Sequence, residues 1–134
     1  MKTDWITTTF DRTFLLRFAL AIIMIMHAVP SFVTMNVLEF GRGLEEDFGF
    51  MGIPIALSVK LTHLVSIPAL LINKYLKPLA LLNIVIFVAG IIMVHGANGW
   101  YVVGGGTNGV EYNFLLIFAF LTFVFPDGLS RKKN

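Results

Sequence analysis

Six residues that could handle protons or bind a polar ligand lie in or beside the most apolar stretches of this sequence. Imidazole, ammonium, carboxylate and phenol groups can exchange protons or form hydrogen bonds, so together they could hold the head of a small molecule. An ionisable side chain deep in a bilayer costs about 2.5–3.5 kcal/mol on insertion scales, so such a residue is usually functional or paired. The six residues are His27, Lys60, His63, His95, Glu111 and Tyr112.

Each of these residues also has a structural interpretation. The three histidines could join helices as neutral hydrogen-bonding imidazoles, and Lys60 could extend its ammonium toward the headgroups. Glu111 could stabilise the N-terminus of the helix that it opens. Tyr112 could belong, with Trp100 and Tyr101, to an aromatic belt at the outer interface. The sequence leaves both interpretations open.

Four apolar segments must position these residues, and each is close to the length that crosses a bilayer. A hydrocarbon core of about 30 Å needs on the order of 20 apolar residues in a helix. Hydrophobic residues make up 57% of the 134 and charged residues 13%, with a mean hydropathy of +0.82, which excludes an ordinary soluble domain. We predict one all-α domain over residues 1–134, a four-helix transmembrane bundle with spans at about 13–35, 54–72, 78–96 and 110–125.

The lysines and arginines predict the orientation of these spans. Cytoplasmic loops carry an excess of both residues, so we expect both termini in the cytoplasm and the two longer loops outside. Arg17 should extend toward the cytoplasmic headgroups. The cations used in this assignment are Lys2, Arg12, Arg17, Lys74, Lys77, Arg131, Lys132 and Lys133.

The outer loop at residues 37–53 mixes apolar side chains with four carboxylates. Such a segment should lie along the interface instead of crossing it.

The prolines support the boundaries of the predicted spans: Pro54 and Pro78 suit the first turn of a helix, whereas Pro30 and Pro68 fall inside spans. In this topology all six candidate residues lie toward the external face, and we predict that they line one pocket between the helices.

Metal and haem sites are not expected. The sequence has no cysteine, which excludes disulfides, thiolate catalysis and iron–sulfur ligation. Three histidines on three helices raise the question of haem, but no helix carries a His-x-x-x-His pair and four short spans offer little volume for a macrocycle. The basic residues lie at helix ends and do not form a nucleic-acid surface.

Several motifs resemble the DoxX family. Residues 12–17 and 26–32 are similar to its first span, with a Leu–Leu–Arg start and a His step, and residues 52–54 to the Gly–x–Pro before its second span. Residues 94–96, 99–106 and 110–116 are similar to its third span, its Gly-rich loop and its Glu-containing fourth span. The ordered set covers nearly the whole chain. Where DoxX-like second spans carry a Glu, this chain has His63 with Lys60 nearby, and Ala28 replaces the Gly after its His.

The resemblance implies a bacterial inner-membrane protein linked to quinone-coupled redox reactions. DoxX-like proteins include the small subunit of thiosulfate:quinone oxidoreductase and membrane partners of oxidative-stress enzymes. We therefore expect a subunit of a redox or respiratory assembly that binds a quinone or similar lipophile near the outer face, without being a complete enzyme. Its partners would be membrane lipids and other subunits or copies of itself, with no nucleic acid. A non-catalytic scaffold subunit and a small carrier or channel subunit are the alternatives.

Overall fold

The computed structural model describes residues 8–129. This part of the chain is helical and contains no strand, so the predicted all-α class is confirmed for it. A 3₁₀ turn, Gly49–Met51, joins the second α-helix to the third, and the fourth continues into a π turn, Ile91–His95, and a 3₁₀ turn, Gly96–Asn98. The α-helices are α1 (Phe14–Val33), α2 (Asn36–Phe48), α3 (Gly52–Ile72), α4 (Leu76–Gly90) and α5 (Glu111–Val124).

Three helical stretches are long and apolar enough to cross a membrane: Phe14–Val33, Asn36–Ile72 and Leu76–Asn98. In the described residues, their surfaces carry many large exposed apolar side chains, among them Leu15 on α1 and Val85 on α4. Exposed apolar surface of this extent indicates contact with lipid or with other proteins. The chain thus has the helices of a membrane protein. Helix α5 is apolar but has 14 residues, and its role as a fourth span stays a prediction.

Local sequence explains where the helices begin and end. Pro54 and Pro78 lie in the first turns of α3 and α4, as predicted. Helix α3 ends at Ile72 because Asn73 adopts a left-handed conformation with a φ of 58°, which Asn tolerates better than most residues. Helix α5 ends just before the Pro126 turn.

The chain divides into two compact units, Met1–Tyr75 and Leu76–Asn134. In the first unit α1 and α3 are antiparallel, because Arg17 near the start of α1 contacts Leu70 near the end of α3. Both helices bury small and medium-sized side chains. These include Leu20, Ala21, Met24 and Ala28 in α1 and Ser66, Ala69 and Leu70 in α3.

Helix α2 folds back on the start of α3. Its buried residues, Val37, Gly41 and Leu44, repeat at helical spacing, and Val37 and Leu44 form a buried cluster with Ala56 of α3. A Cβ placed on Gly41 would lie 2.7 Å from the Cα of Ile53, so the helices approach more closely than any other residue at 41 would allow. The acidic side chains Glu39, Glu45, Glu46 and Asp47 remain exposed. That α2 lies along the membrane interface stays a prediction.

Arg17 does not extend toward the headgroups, so that prediction is wrong. Its side chain is fully buried. The guanidinium donates hydrogen bonds to the carbonyls of Leu70 (2.5 Å) and Thr9, to the Thr13 hydroxyl (3.0 Å) and to the Asp11 carboxylate (3.1 Å). The last carbonyls of a helix have no intrahelical donor, so Arg17 caps the C-terminus of α3 while it holds the segment before α1.

In the second unit α4 packs on α5. Phe87 and Phe120 place their ring centroids 5.7 Å apart. The buried amide of Asn113 donates to the Phe87 carbonyl at 3.3 Å, and a Cβ on Gly90 would lie 3.0 Å from the Asn113 nitrogen. A small residue at position 90 thus leaves the room that the Asn113 side chain occupies.

Candidate functional site

Three of the six predicted residues come together in the first unit. The Lys60 ammonium donates a hydrogen bond of 2.9 Å to the carbonyl of His27. It also lies 5.7 Å from the centroid of the Phe40 ring, in a cation–π arrangement. The rings of His27 and His63 are 6.3 Å apart and meet edge to face. We call His27, Phe40, Lys60 and His63 the Lys60 cluster.

The helices explain why these residues meet. Lys60 and His63 are three residues apart, so they lie on one face of α3. The antiparallel α1 brings His27 opposite that face, and the fold of α2 onto α3 brings Phe40. Lys60 lies eight residues after Gly52, the first residue of α3, or about 12 Å along the helix axis. The cluster therefore lies well inside an apolar helix and not at its end.

The members of the cluster differ in exposure. His63 is buried, with 5% of its surface exposed, whereas the side chains of His27 and Phe40 are exposed and Lys60 is intermediate. A ligand that approached α1 and α3 would thus meet His27 and Lys60 before His63. Chemically, the ammonium can only donate hydrogen bonds, whereas each imidazole can donate or accept.

The other three predicted residues lie in the second unit, around the loop that precedes α5. Glu111 is the first residue of α5, where the helix dipole favours a carboxylate. Its carboxylate accepts a hydrogen bond of 2.8 Å from the backbone N–H of Val102. Its own backbone N–H donates to the Trp100 carbonyl at 3.0 Å. Glu111 therefore ties the loop back onto the helix, which is a structural role.

His95 also holds this loop. Its Nδ1 lies 2.8 Å from the carbonyl oxygen of Asn108, and because a carbonyl can only accept, the proton of the neutral ring belongs on Nδ1. Tyr112 follows Glu111 on α5 and is partly buried. The indole of Trp100 packs on Phe114, with ring centroids 5.3 Å apart.

The structure thus brings together His27, Lys60 and His63 in one unit and places His95, Glu111 and Tyr112 at one loop of the other. That all six line one pocket stays a prediction. Within residues 8–129, no three side chains of His, Cys, Asp or Glu are grouped so that they could hold a metal ion.

Sequence reasoning missed Phe40 and the burial of Arg17. Phe40 is one of several apolar residues of the outer segment, and nothing in the sequence distinguishes it from Phe48 or Phe50. The sequence does contain an indication that Arg17 could be buried: Asp11 and Thr13 lie within two helical turns before it and could both accept hydrogen bonds from a buried guanidinium.

Comparison of the chain with protein-family models, with curated proteins and with solved structures finds no match. The resemblance to the DoxX family rests on the motifs described above.

Proposed function

We propose that this chain is a small multi-pass membrane subunit of a redox or respiratory assembly, and that it binds a quinone-like lipophile at the Lys60 cluster. The observation that carries the proposal is an ammonium held on the His27 carbonyl, beside two imidazoles, inside an apolar helix. Ligand sites combine apolar walls with a few convergent polar groups. A quinone head has carbonyl oxygens for such donors, and its tail would remain among apolar side chains.

In the proposed arrangement α1, α3, α4 and α5 cross the bacterial inner membrane, and α2 lies along the outer interface. Helix α5 has 14 residues and is about 21 Å long, so the bilayer thins around it or flanking residues complete the span. Both termini are cytoplasmic, as the distribution of lysine and arginine predicts. The Lys60 cluster then lies in the outer half of the membrane.

The chain's own residues would bind the ligand and move protons. Reduction of a quinone consumes protons, and an imidazole is a suitable proton donor. His27, the exposed imidazole, would exchange protons with the outside, and Lys60 would orient the head. Partner subunits would supply and remove the electrons.

The proposal is tested by measuring the binding of a short-chain ubiquinone to the full chain in nanodiscs of neutral lipid. His27→Leu should weaken binding about tenfold, since loss of a hydrogen bond to the ligand costs on the order of 1.4 kcal/mol. His95→Leu is the matched control, because it removes the same group from the loop of the second unit.

The two variants separate three results. Weaker binding in His27→Leu alone supports a site built by the Lys60 cluster. Weaker binding in both supports the single pocket of all six residues that the sequence predicts. Binding that neither variant changes, or no binding by the wild type, contradicts the proposed site.

A non-catalytic scaffold is the second candidate. The exposed apolar faces of α1 and α4 favour it, because they could pack on larger subunits as well as on lipid. Purification in a mild detergent distinguishes the two functions: a scaffold retains partner subunits and no small molecule, whereas the proposed subunit retains a lipophile that mass spectrometry can identify.

A further inference from the structure

The Lys60 ammonium has neutral groups around it in its own unit. Among residues 8–75 the ion pair is that of Arg17 with Asp11, at 3.1 Å. Lys60 instead contacts the carbonyl of His27 and the ring of Phe40. Within residues 8–75, no carboxylate therefore forms an ion pair with the Lys60 ammonium.

A cation in this position is costly without an anion. Charged side chains inside membranes usually pair with one another, with backbone carbonyls or with a ligand. The ammonium has three N–H donors, and the His27 carbonyl accepts one of them. A second acceptor that carried a full negative charge would form both a hydrogen bond and an ion pair with the ammonium.

We propose that the Lys60 cluster binds its ligand as an anion, with Lys60 as the counter-ion. The inference rests on the proposed function and names the class of ligand: an amphiphile whose head carries an ionised oxygen. An ionised hydroxyquinone and the phosphate of a lipid headgroup both present this chemistry. His27, which is exposed beside Lys60, supplies a further donor to the same oxygen.

The surroundings of Lys60 suit an amphiphile better than a free inorganic anion. Phe40 covers the ammonium on one side with an aromatic ring, against which a planar head could stack. Leu64 lies one turn further along the same face of α3 and is exposed, so it offers an apolar surface to a tail.

The test compares two probes that differ in the charge of one oxygen and in the methyl group that removes this charge. A long-chain 2-hydroxy-1,4-naphthoquinone is ionised at neutral pH, and its methyl ether is neutral. Affinities are measured for the full chain in phosphatidylcholine nanodiscs. We expect the anion to bind about tenfold more tightly or better, the ratio typical of a hydrogen bond between charged groups. Lys60→Met should abolish this preference, and Lys60→Arg, which keeps the charge, should retain it.

Lys74→Met is the matched control, because Lys74 is an exposed lysine beyond the end of α3; its preference should equal that of the wild type. A second arm adds phosphatidylglycerol. Affinities in this arm are corrected for partition of the probe into empty nanodiscs of the same composition, because an anionic surface repels an anionic probe. If the anionic lipid still weakens probe binding, the lipid phosphate competes for the anion position; if it does not, the position is selective for the added lipophile. Both results place an ionised oxygen at Lys60.

Three results would overturn the inference. Equal affinity of the wild type for both probes shows that the site does not select charge, although the proposed function would stand. A preference that survives in Lys60→Met shows that another group provides the selection. A preference that emerges only in Glu111→Gln identifies Glu111 as the counter-ion. Failure of both probes to bind the wild type would instead remove the proposed function itself.

Discussion

Replacement of Arg17 by Met should strongly destabilise the first unit. The guanidinium is fully buried, and its loss removes the donor from the carbonyls of Leu70 and Thr9 and the partner from Asp11. Breaking a buried charge network from one side typically costs 3–5 kcal/mol, chiefly because the remaining polar groups lose their partners. Of these bonds, the one to Leu70 is fully buried and the others are partly buried. We therefore expect about 3 kcal/mol, the lower end of that range.

A change of about 3 kcal/mol shifts the folding equilibrium by about two orders of magnitude. It can be measured as a fall in the midpoint of reversible unfolding in mixed micelles. Arg12→Met is the control, because Arg12 is a neighbouring arginine whose side chain is exposed. Arg17→Lys should recover only part of the loss, since one ammonium cannot reproduce the fork of donors. If Arg17→Met unfolded at the same denaturant concentration as Arg12→Met, the capping role of Arg17 would be refuted.

Three further predictions concern other contacts. Gly41→Ala should destabilise the packing of α2 on α3 by about 1–3 kcal/mol, because the added methyl group would overpack against Ile53. Gly43→Ala is the control: a Cβ there meets nothing within 4 Å, so this variant should be neutral or slightly stabilising in the same unfolding assay. Glu111→Ala should speed amide hydrogen exchange at Val102, because the acceptor of its N–H is lost. Glu111→Gln should not, because the glutamine amide oxygen can still accept this hydrogen bond. Similar protection of Val102 in both variants would contradict the tie between loop and helix. Burial alone would raise the pKa of Asp11, but the hydrogen bonds from Thr13 and the Arg17 guanidinium outweigh it and lower the pKa below 3.8. Ionised Asp11 therefore stabilises the fold above that pH, and this stabilisation is lost as the pH falls through the lowered pKa. The difference in free energy of unfolding between wild type and Asp11→Asn should thus disappear on acidification. A difference that increased on acidification would contradict this prediction.

The two units differ in how polar residues are used. In the first unit Arg17 and Lys60 both reach backbone carbonyls of a neighbouring helix, Leu70 and His27 respectively. Arg17 has Asp11 as a counter-ion and caps a helix end, so its role is complete within the unit. Lys60 contacts a carbonyl and an aromatic ring. Arg17 thus has a structural role, whereas a binding role for Lys60 is the one we propose.

The sequence by itself determined the class of this protein and most of its helix boundaries. The all-α class and the helix boundaries at Pro54, Pro78 and Pro126 depend on local properties of the chain, and the structure agrees with these. Three of the four predicted spans are long enough to cross a membrane, and the fourth stays a prediction. The pairing of Lys60 with His63 on one helix face follows from helical spacing, which is also local.

Only the tertiary structure decided what each polar side chain contacts. Arg17 was expected at the headgroups and is buried, because the end of α3 offers it carbonyls that lie more than fifty residues away in sequence. Phe40 becomes part of the Lys60 cluster because Gly41 lets α2 approach α3 closely. Glu111 is drawn to the Val102 amide by the turn of its own loop. The partners of these polar side chains depend on how the helices pack together. Hydrophobic periodicity indicates which face of each helix is apolar, but it does not specify which helix packs against that face.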